Sequence, residues 1–288
     1  MDLVEKIKIL QNHLNVRNFK KVIEGSKVIL NKVPNNDYLL NITGMAYQGL
    51  SQHDNSIKCF KHALKHSPNN LAAMNNLANS LKAIGKLEDS KNLYENILKI
   101  NPNYFNAYNN YANLKTLVND YDGAIQLYKK AYSIIEKIDN VPKSSLAGIL
   151  FSLAAAYQSA NKIEETQKTI KRILTIDPSH VGAHKLIGSL IKYSNDNEDS
   201  IKHIKDMEEV DKKINNQDLH KKVDISYALG KSYEDLKNYE KAFHYLSKAN
   251  QLKFDKKGSN LEAEKKAIRN IIKIFDGIDL NNPNIDPQ

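Results

Sequence analysis

At 288 residues, with 41% hydrophobic and 26% charged residues but only 11 Gly and 7 Pro, the chain can bury a large core and reads as ordered and mostly helical. A lone cysteine, Cys59, excludes a disulfide framework, and no run approaches the roughly 18 apolar residues of a membrane span. The net charge of +9 is lysine charge: Arg17, Arg172 and Arg269 are the sole arginines, and base-edge and bidentate phosphate recognition favour the guanidinium fork. Specific nucleic-acid binding is therefore not expected, while an acidic partner is compatible with the charge. Through Ser144 there are 19 basic and 12 acidic residues, against 23 and 21 afterwards, so +7 of the excess lies in the first half.

Along the chain, Met1-Asp2-Leu3-Val4-Glu5-Lys6 sets carboxylates among its apolar residues where a secretory leader needs an unbroken apolar segment, so a cytoplasmic address is expected. Residues 1–36 form a degenerate first unit, an N-terminal cap whose second helix carries Val22, Ile29 and Leu30. Prolines then recur every thirty-four residues, at Pro34, Pro68 and Pro102, each closing a stretch of one amphipathic type. Residues 37–138 hold the regular units. The first places Leu40, Gly44 and Tyr47 on one helix and Phe60 and Ala63 on the next. The second repeats this with Met74, Leu77, Ala78 and Leu81, then Tyr94, Ile97 and Leu98. The third has Tyr108, Tyr111 and Ala112, then Ala124, Tyr128 and Ala131, with Glu136 at the proline position.

Eight residues around Asn140-Val141-Pro142 shift the phase before the interrupted units of residues 147–254. Leu150, Leu153, Ala154, Tyr157, Ile170, Ile173 and Pro178 mark one unit, and Ile187, Gly188, Ile191, Ile201 and Ile204 a weaker one. After a polar connection, Leu229, Gly230, Tyr233, Tyr239, Ala242, Leu246 and Ala249 mark the last. Residues 260–278 read as one further amphipathic helix capping the stack, and residues 279–288 as a linker-like tail. The alternation is geometric: a small residue on the first helix admits its partner closely, and a large residue opposite fills the space beside it. Ordering about 34 residues costs on the order of 50 kcal/mol of conformational entropy, so one hairpin must bury its second face on a neighbour.

This large-small-large, then large-small-proline pattern over Val22 to Phe254 resembles the tetratricopeptide repeat (TPR). The resemblance implies an all-α, right-handed α-α superhelix of about seven helix pairs plus the capping helix, with a concave groove that takes peptides or partner proteins.

Chemistry is sparse. No glycine loop follows a strand to cradle phosphate, and adjacent carboxylates such as Glu88/Asp89 diverge by about 100 degrees on a helix. Cys59, His62 and His66 share one helical arc and His180 and His184 stand four apart, but neither set has a convincing fourth ligand. No catalytic residue, metal or cofactor is assigned. One series stands out. Asn41, Asn75 and Asn109 recur at the repeat period, as do Asn76 with Asn110 and Asn79 with Asn113, to one side of the core stripe on each first helix. In TPR superhelices that side lines the groove, where primary amides can pair with an extended backbone without reading its sequence. Compositional richness in Asn explains the series as well. Asn75 stands where chaperone-binding TPR proteins place the lysine of their carboxylate clamp, so that partner is not expected.

The segment Asp224-Ile225-Ser226-Tyr227-Ala228-Leu229-Gly230-Lys231-Ser232-Tyr233-Glu234-Asp235-Leu236, then Tyr239-Glu240-Lys241-Ala242-Phe243 and Ala249-Asn250-Gln251-Leu252-Lys253, resembles the last repeat of bacterial TPR-containing sulfotransferases. In that family a Pro-Arg-Ser-Gly-Thr-Thr type loop follows and binds the sulfate donor; no position here matches it. The resemblance implies the non-catalytic TPR half of such an enzyme. The alternatives are a free-standing adaptor and a purely architectural assembly protein.

Overall fold

The computed structural model describes residues 2–215 and 218–257, so the expected capping helix at 260–278 and tail at 279–288 lie outside the described residues. Fourteen helices and no strand are found among the described residues, and the chain divides into two compact units, Met1–Asp177 and Pro178–Gln288.

The first unit contains ten helices: α1 (Leu3–Asn15), α2 (Phe19–Leu30), α3 (Asp37–Gly49), α4 (His53–His66), α5 (Leu71–Ala83), α6 (Leu87–Ile100), α7 (Phe105–Leu117), α8 (Tyr121–Ile135), α9 (Lys143–Ser159) and α10 (Ile163–Ile176). Each odd-numbered helix packs on the even-numbered helix that follows, and α3, α5, α7 and α9 stack in succession. The core repeats with the period. Phe60, Tyr94 and Tyr128 are buried, as are Ala78 and Ala112; Phe60 packs on Gly44, and Tyr94 shares a core cluster with Ala78. A Cβ built on Gly44 would lie 2.5 Å from the Phe60 ring, which is why the smallest residue occupies that turn.

The turn inside each hairpin is also periodic. Arg17, Ser51, Gly85 and Asn119 all have positive φ, at 58, 59, 80 and 62 degrees, and each is thirty-four residues from the next. The amide after each bonds back five residues, Asn18 to His13, Gln52 to Tyr47, Lys86 to Leu81 and Asp120 to Lys115. This is the Schellman closure, a left-handed residue that satisfies the last carbonyls of one helix and reverses the chain into the next. Asn36 and Asn70, one repeat apart, cap α3 and α5 by accepting from the amides of Leu39 and Ala73.

The second unit contains α11 (Val181–Leu190), α12 (Glu198–Lys213), α13 (Leu219–Asp235) and α14 (Tyr239–Lys257). α13 and α14 form a regular hairpin in which a Cβ on Gly230 would lie 2.6 Å from Leu246. The hairpin before it is irregular. Of the residues that mark this weaker unit, Ile187 and Gly188 lie on α11, which stops at Leu190, and Ile191 is extended, with φ −116 and ψ 154 degrees. The chain then inserts Tyr193, 2% exposed, so that its hydroxyl would lie 3.3 Å from a Cβ on Gly188. A loop tyrosine thus fills the space that a second-helix residue fills elsewhere. Among the described residues no helix is long and apolar enough to cross a membrane.

Candidate functional site

The asparagine series lies on α3, α5 and α7 of the first unit, and helical geometry divides it. Asn75 and Asn76 are adjacent on α5 and so diverge by about 100 degrees, which lets them reach opposite neighbours. Asn76 Nδ2 donates to Asn41 Oδ1 on α3 at 3.1 Å, and Asn75 Oδ1 accepts from Asn110 Nδ2 on α7 at 3.0 Å. Four of the seven predicted residues therefore form two equivalent rungs of an inter-repeat amide ladder. Asn41 and Asn75, the acceptors, are only 9% and 6% exposed. Gln48 reinforces the first rung, its Nε2 donating to Asn76 O and Ser80 Oγ at 2.8 Å each.

Asn79 and Asn113 are half-buried and do not join the ladder. The Tyr94 hydroxyl donates to Asn79 Oδ1 at 2.7 Å, and thirty-four residues on the Tyr128 hydroxyl donates to Asn113 Oδ1 at 2.6 Å. Burial pushes both phenols above the ordinary tyrosine range, so they remain donors at neutral pH. Each amide oxygen is engaged by its own repeat, and among the described residues no hydrogen bond is made by the Nδ2 edge. Asn109 borders a cleft of about 290 Å³ with Asn106, Ser145, Gly148 and Ser152. The orienting tyrosines and Gln48 were not singled out as site residues in the sequence. The tyrosines carry the same period as the amides they hold, a signal present but attributable to packing.

The histidine and cysteine sets have structural roles. His62 Nε2 lies 3.1 Å from Asn35 Oδ1, and burial pushes the Cys59 thiol up to about 11, so it stays protonated at neutral pH. Among the described residues no group of three or more His, Cys, Asp or Glu side chains could hold a metal ion. The second unit has a polar relay that sequence spacing did not reveal. His184, 2% exposed, places Nε2 2.8 Å from the carbonyl of Pro178 and Nδ1 2.8 Å from His203 Nε2; the Tyr193 hydroxyl is 2.7 Å from His203 Nδ1. The carbonyl only accepts, so His184 Nε2 carries a proton; with both rings neutral, His203 Nε2 donates to His184 Nδ1 and Tyr193 donates to His203 Nδ1. Desolvation first, then the neighbouring His184, pulls His203 down to about 4. Tyr193 in turn ties the loop to α13, its amide donating to Asp235 Oδ2 at 3.2 Å.

Comparison with known proteins agrees with this architecture. The family described as Psidin, N-terminal TPR repeats region, matches residues 5–134, and the tetratricopeptide repeat family matches residues 223–256. No curated protein matches the sequence. Among solved structures, a TPR protein from Parabacteroides merdae is similar at 17% identity and a TM-score of 0.56, covering 92% of this chain and 96% of that one. A thermophilic TPR protein from Thermus thermophilus is similar at 15% identity and a TM-score of 0.56, covering 65% of this chain and 97% of that one. The C-terminal part of a TPR protein from Cytophaga hutchinsonii is similar at 13% identity and a TM-score of 0.57, covering 85% and 94%. At such identities the likeness is one of fold. Thirty-four-residue hairpins, small-over-large packing between their helices and two TPR family matches converge, and the chain is a tetratricopeptide-repeat protein.

Proposed function

We propose that the odd-numbered helices of Met1–Asp177 bind an extended segment of a partner protein, and that the chain acts as an interaction scaffold with no turnover of its own. The observation that carries this reading is the repeated Tyr94–Asn79 and Tyr128–Asn113 bond. It holds two amides in the same register in successive repeats, each with donors free for a main-chain carbonyl. A pre-oriented amide loses little freedom when it binds, which favours capture of an unstructured segment. The basic excess through Ser144, 19 residues against 12, favours an acidic partner, and the single thiol suits a reducing, cytoplasmic setting.

Titration with fluorescently labelled acidic peptides tests the reading. Asn79→Ala together with Asn113→Ala should weaken binding by about tenfold or more while circular dichroism shows the helical fold retained, although stranding the buried Tyr94 and Tyr128 hydroxyls lowers the melting temperature. Tyr94→Phe with Tyr128→Phe, which unlocks the amides without removing them, should give a smaller loss. Unchanged affinity in the double alanine variant would sink the assignment.

The pattern from Asp224 to Lys253 supports a narrower reading in which this scaffold is the TPR half of a sulfotransferase and presents the bound polypeptide to a catalytic domain. The TPR match at residues 223–256 falls on the same segment. Under this reading 3′-phosphoadenosine 5′-phosphosulfate leaves the melting temperature of the 288-residue chain unchanged. Donor-dependent stabilisation, or sulfate transfer, would overturn the non-catalytic assignment.

A further inference from the structure

The amide ladder has a gap. Asn41 pairs with Asn76 and Asn75 with Asn110, each partner lying one helix along the stack. By the same rule Asn109 on α7 should meet the equivalent residue of α9. Counting the eight inserted residues, that residue is Ser152, one side chain too short to continue the ladder. Its hydroxyl donates to the Gly148 carbonyl of its own helix at 3.2 Å and also interacts with the Tyr128 phenol of α8, so it does not reach Asn109. No side-chain hydrogen bond engages the Asn109 amide among the described residues, and both its edges are open. The cleft of about 290 Å³ lies at this junction. A Cβ on Gly148 would meet nothing within 4 Å, so this wall of α9 stands back from its neighbours. Asn106, Asn109, Ser145 and Ser152 supply polar groups, and no charged residue lines the space.

We infer that this gap is the anchoring subsite for a partner polypeptide, taking an uncharged stretch of extended main chain with small side chains. The inference rests on the proposed groove function and locates its centre. A main-chain segment has one donor and one acceptor per residue, and the open amide of Asn109 complements both. Serine hydroxyls beside it can accept or donate without the desolvation cost of a charge. Two Asn–Asn rungs keep the preceding helices rigid, so the unpaired third position is where the stack gives a guest the bond that it otherwise makes to itself. A partner suited to this site has a neutral, small-residue core with acidic flanks, which complement the basic excess of residues 1–144.

Peptides selected on the full chain from a random 12-residue display library would serve as the probe. Asn109→Ala, and Gly148→Leu to fill the cleft, should each weaken the selected peptides by about tenfold or more while the melting temperature is kept, because the leucine enters empty space. The selected sequences should share an uncharged core. Ser152→Val supplies a second filling variant should the leucine disturb folding. If Asn79→Ala with Asn113→Ala abolishes binding while Asn109→Ala and the filling variants do not affect it, the groove reading stands and the anchoring subsite falls. Failure to select any peptide on the wild-type chain would overturn both.

Discussion

The paired amides and the glycine-aromatic contacts show how much depends on single side chains. Asn75 Oδ1 is buried and takes its bond from Asn110. Asn110→Ala therefore strands a desolvated acceptor and should cost about 1–2 kcal/mol in urea denaturation, whereas alanine at an exposed, unbonded position should cost little. Gly44→Ala tests packing in the same assay. Its methyl would sit 2.5 Å from Phe60, a buried ring with no room to retreat, so a loss of about 1–3 kcal/mol is expected. The same substitution at Gly148 meets no atom within 4 Å and should not destabilise the fold; helix propensity there favours alanine by about 1 kcal/mol.

At the scale of the hairpin, the left-handed residue that follows α1, α3, α5 and α7 is a device set by the backbone, and the sequence fills it unevenly. Gly85 meets its demand without strain, Asn119 tolerates it, and Arg17 and Ser51 adopt it against their intrinsic preference. Ser51→Gly should accordingly stabilise the chain by about 0.5–1 kcal/mol, and Gly85→Ala should destabilise it by about 1 kcal/mol, both read as shifts in denaturant midpoint. Opposite signs are the essential result; a loss in both would mean that these turns are not held by left-handed closure. This period was hidden in the sequence because the four residues, Arg, Ser, Gly and Asn, share no side-chain chemistry. What they share is a φ angle, and that appears only once each helix end is placed.

Across the whole molecule the two units differ in what holds their polar interior. The first relies on amides, hydroxyls and phenols that do not titrate near neutrality, and the second on the relay of His184, His203 and Tyr193. The groups facing His203 are the His184 ring and the Tyr193 phenol, with the Asp235 carboxylate and Lys231 ammonium beyond on α13. His203 is depressed to about 4 from an unfolded value near 6.5, so the unfolded chain binds the extra proton first as pH falls. The stability it contributes is fully present above about 6.5 and is lost progressively toward 4, at most about 3 kcal/mol from the size of the shift. Hydrogen exchange of α11 to α13 should therefore accelerate between pH 6.5 and 4 relative to α5 to α8. His203→Gln should flatten that difference, and an equal acceleration in both regions would refute the relay as its source.

The sequence by itself determined the all-α repeat fold, the hairpin length and the small-over-large core contacts, because these follow from local periodicity: Gly44 with Phe60 and Gly230 with Leu246 meet as their spacing requires. It also picked out the asparagine positions, since a recurring amide is visible as a recurring letter. Only the tertiary structure decided what each amide does. Asn75 and Asn76 are neighbours in the chain yet bond to different helices, Asn79 is held by a tyrosine fifteen residues away, and Asn109 is left open because an eight-residue insertion puts a serine opposite it. The His184–His203–Tyr193 relay was invisible for the same reason: its members meet only because α11 ends early and the following loop turns inward. Hydrogen bonds between stacked repeats depend on the rise and rotation from one hairpin to the next, and no single repeat encodes that geometry.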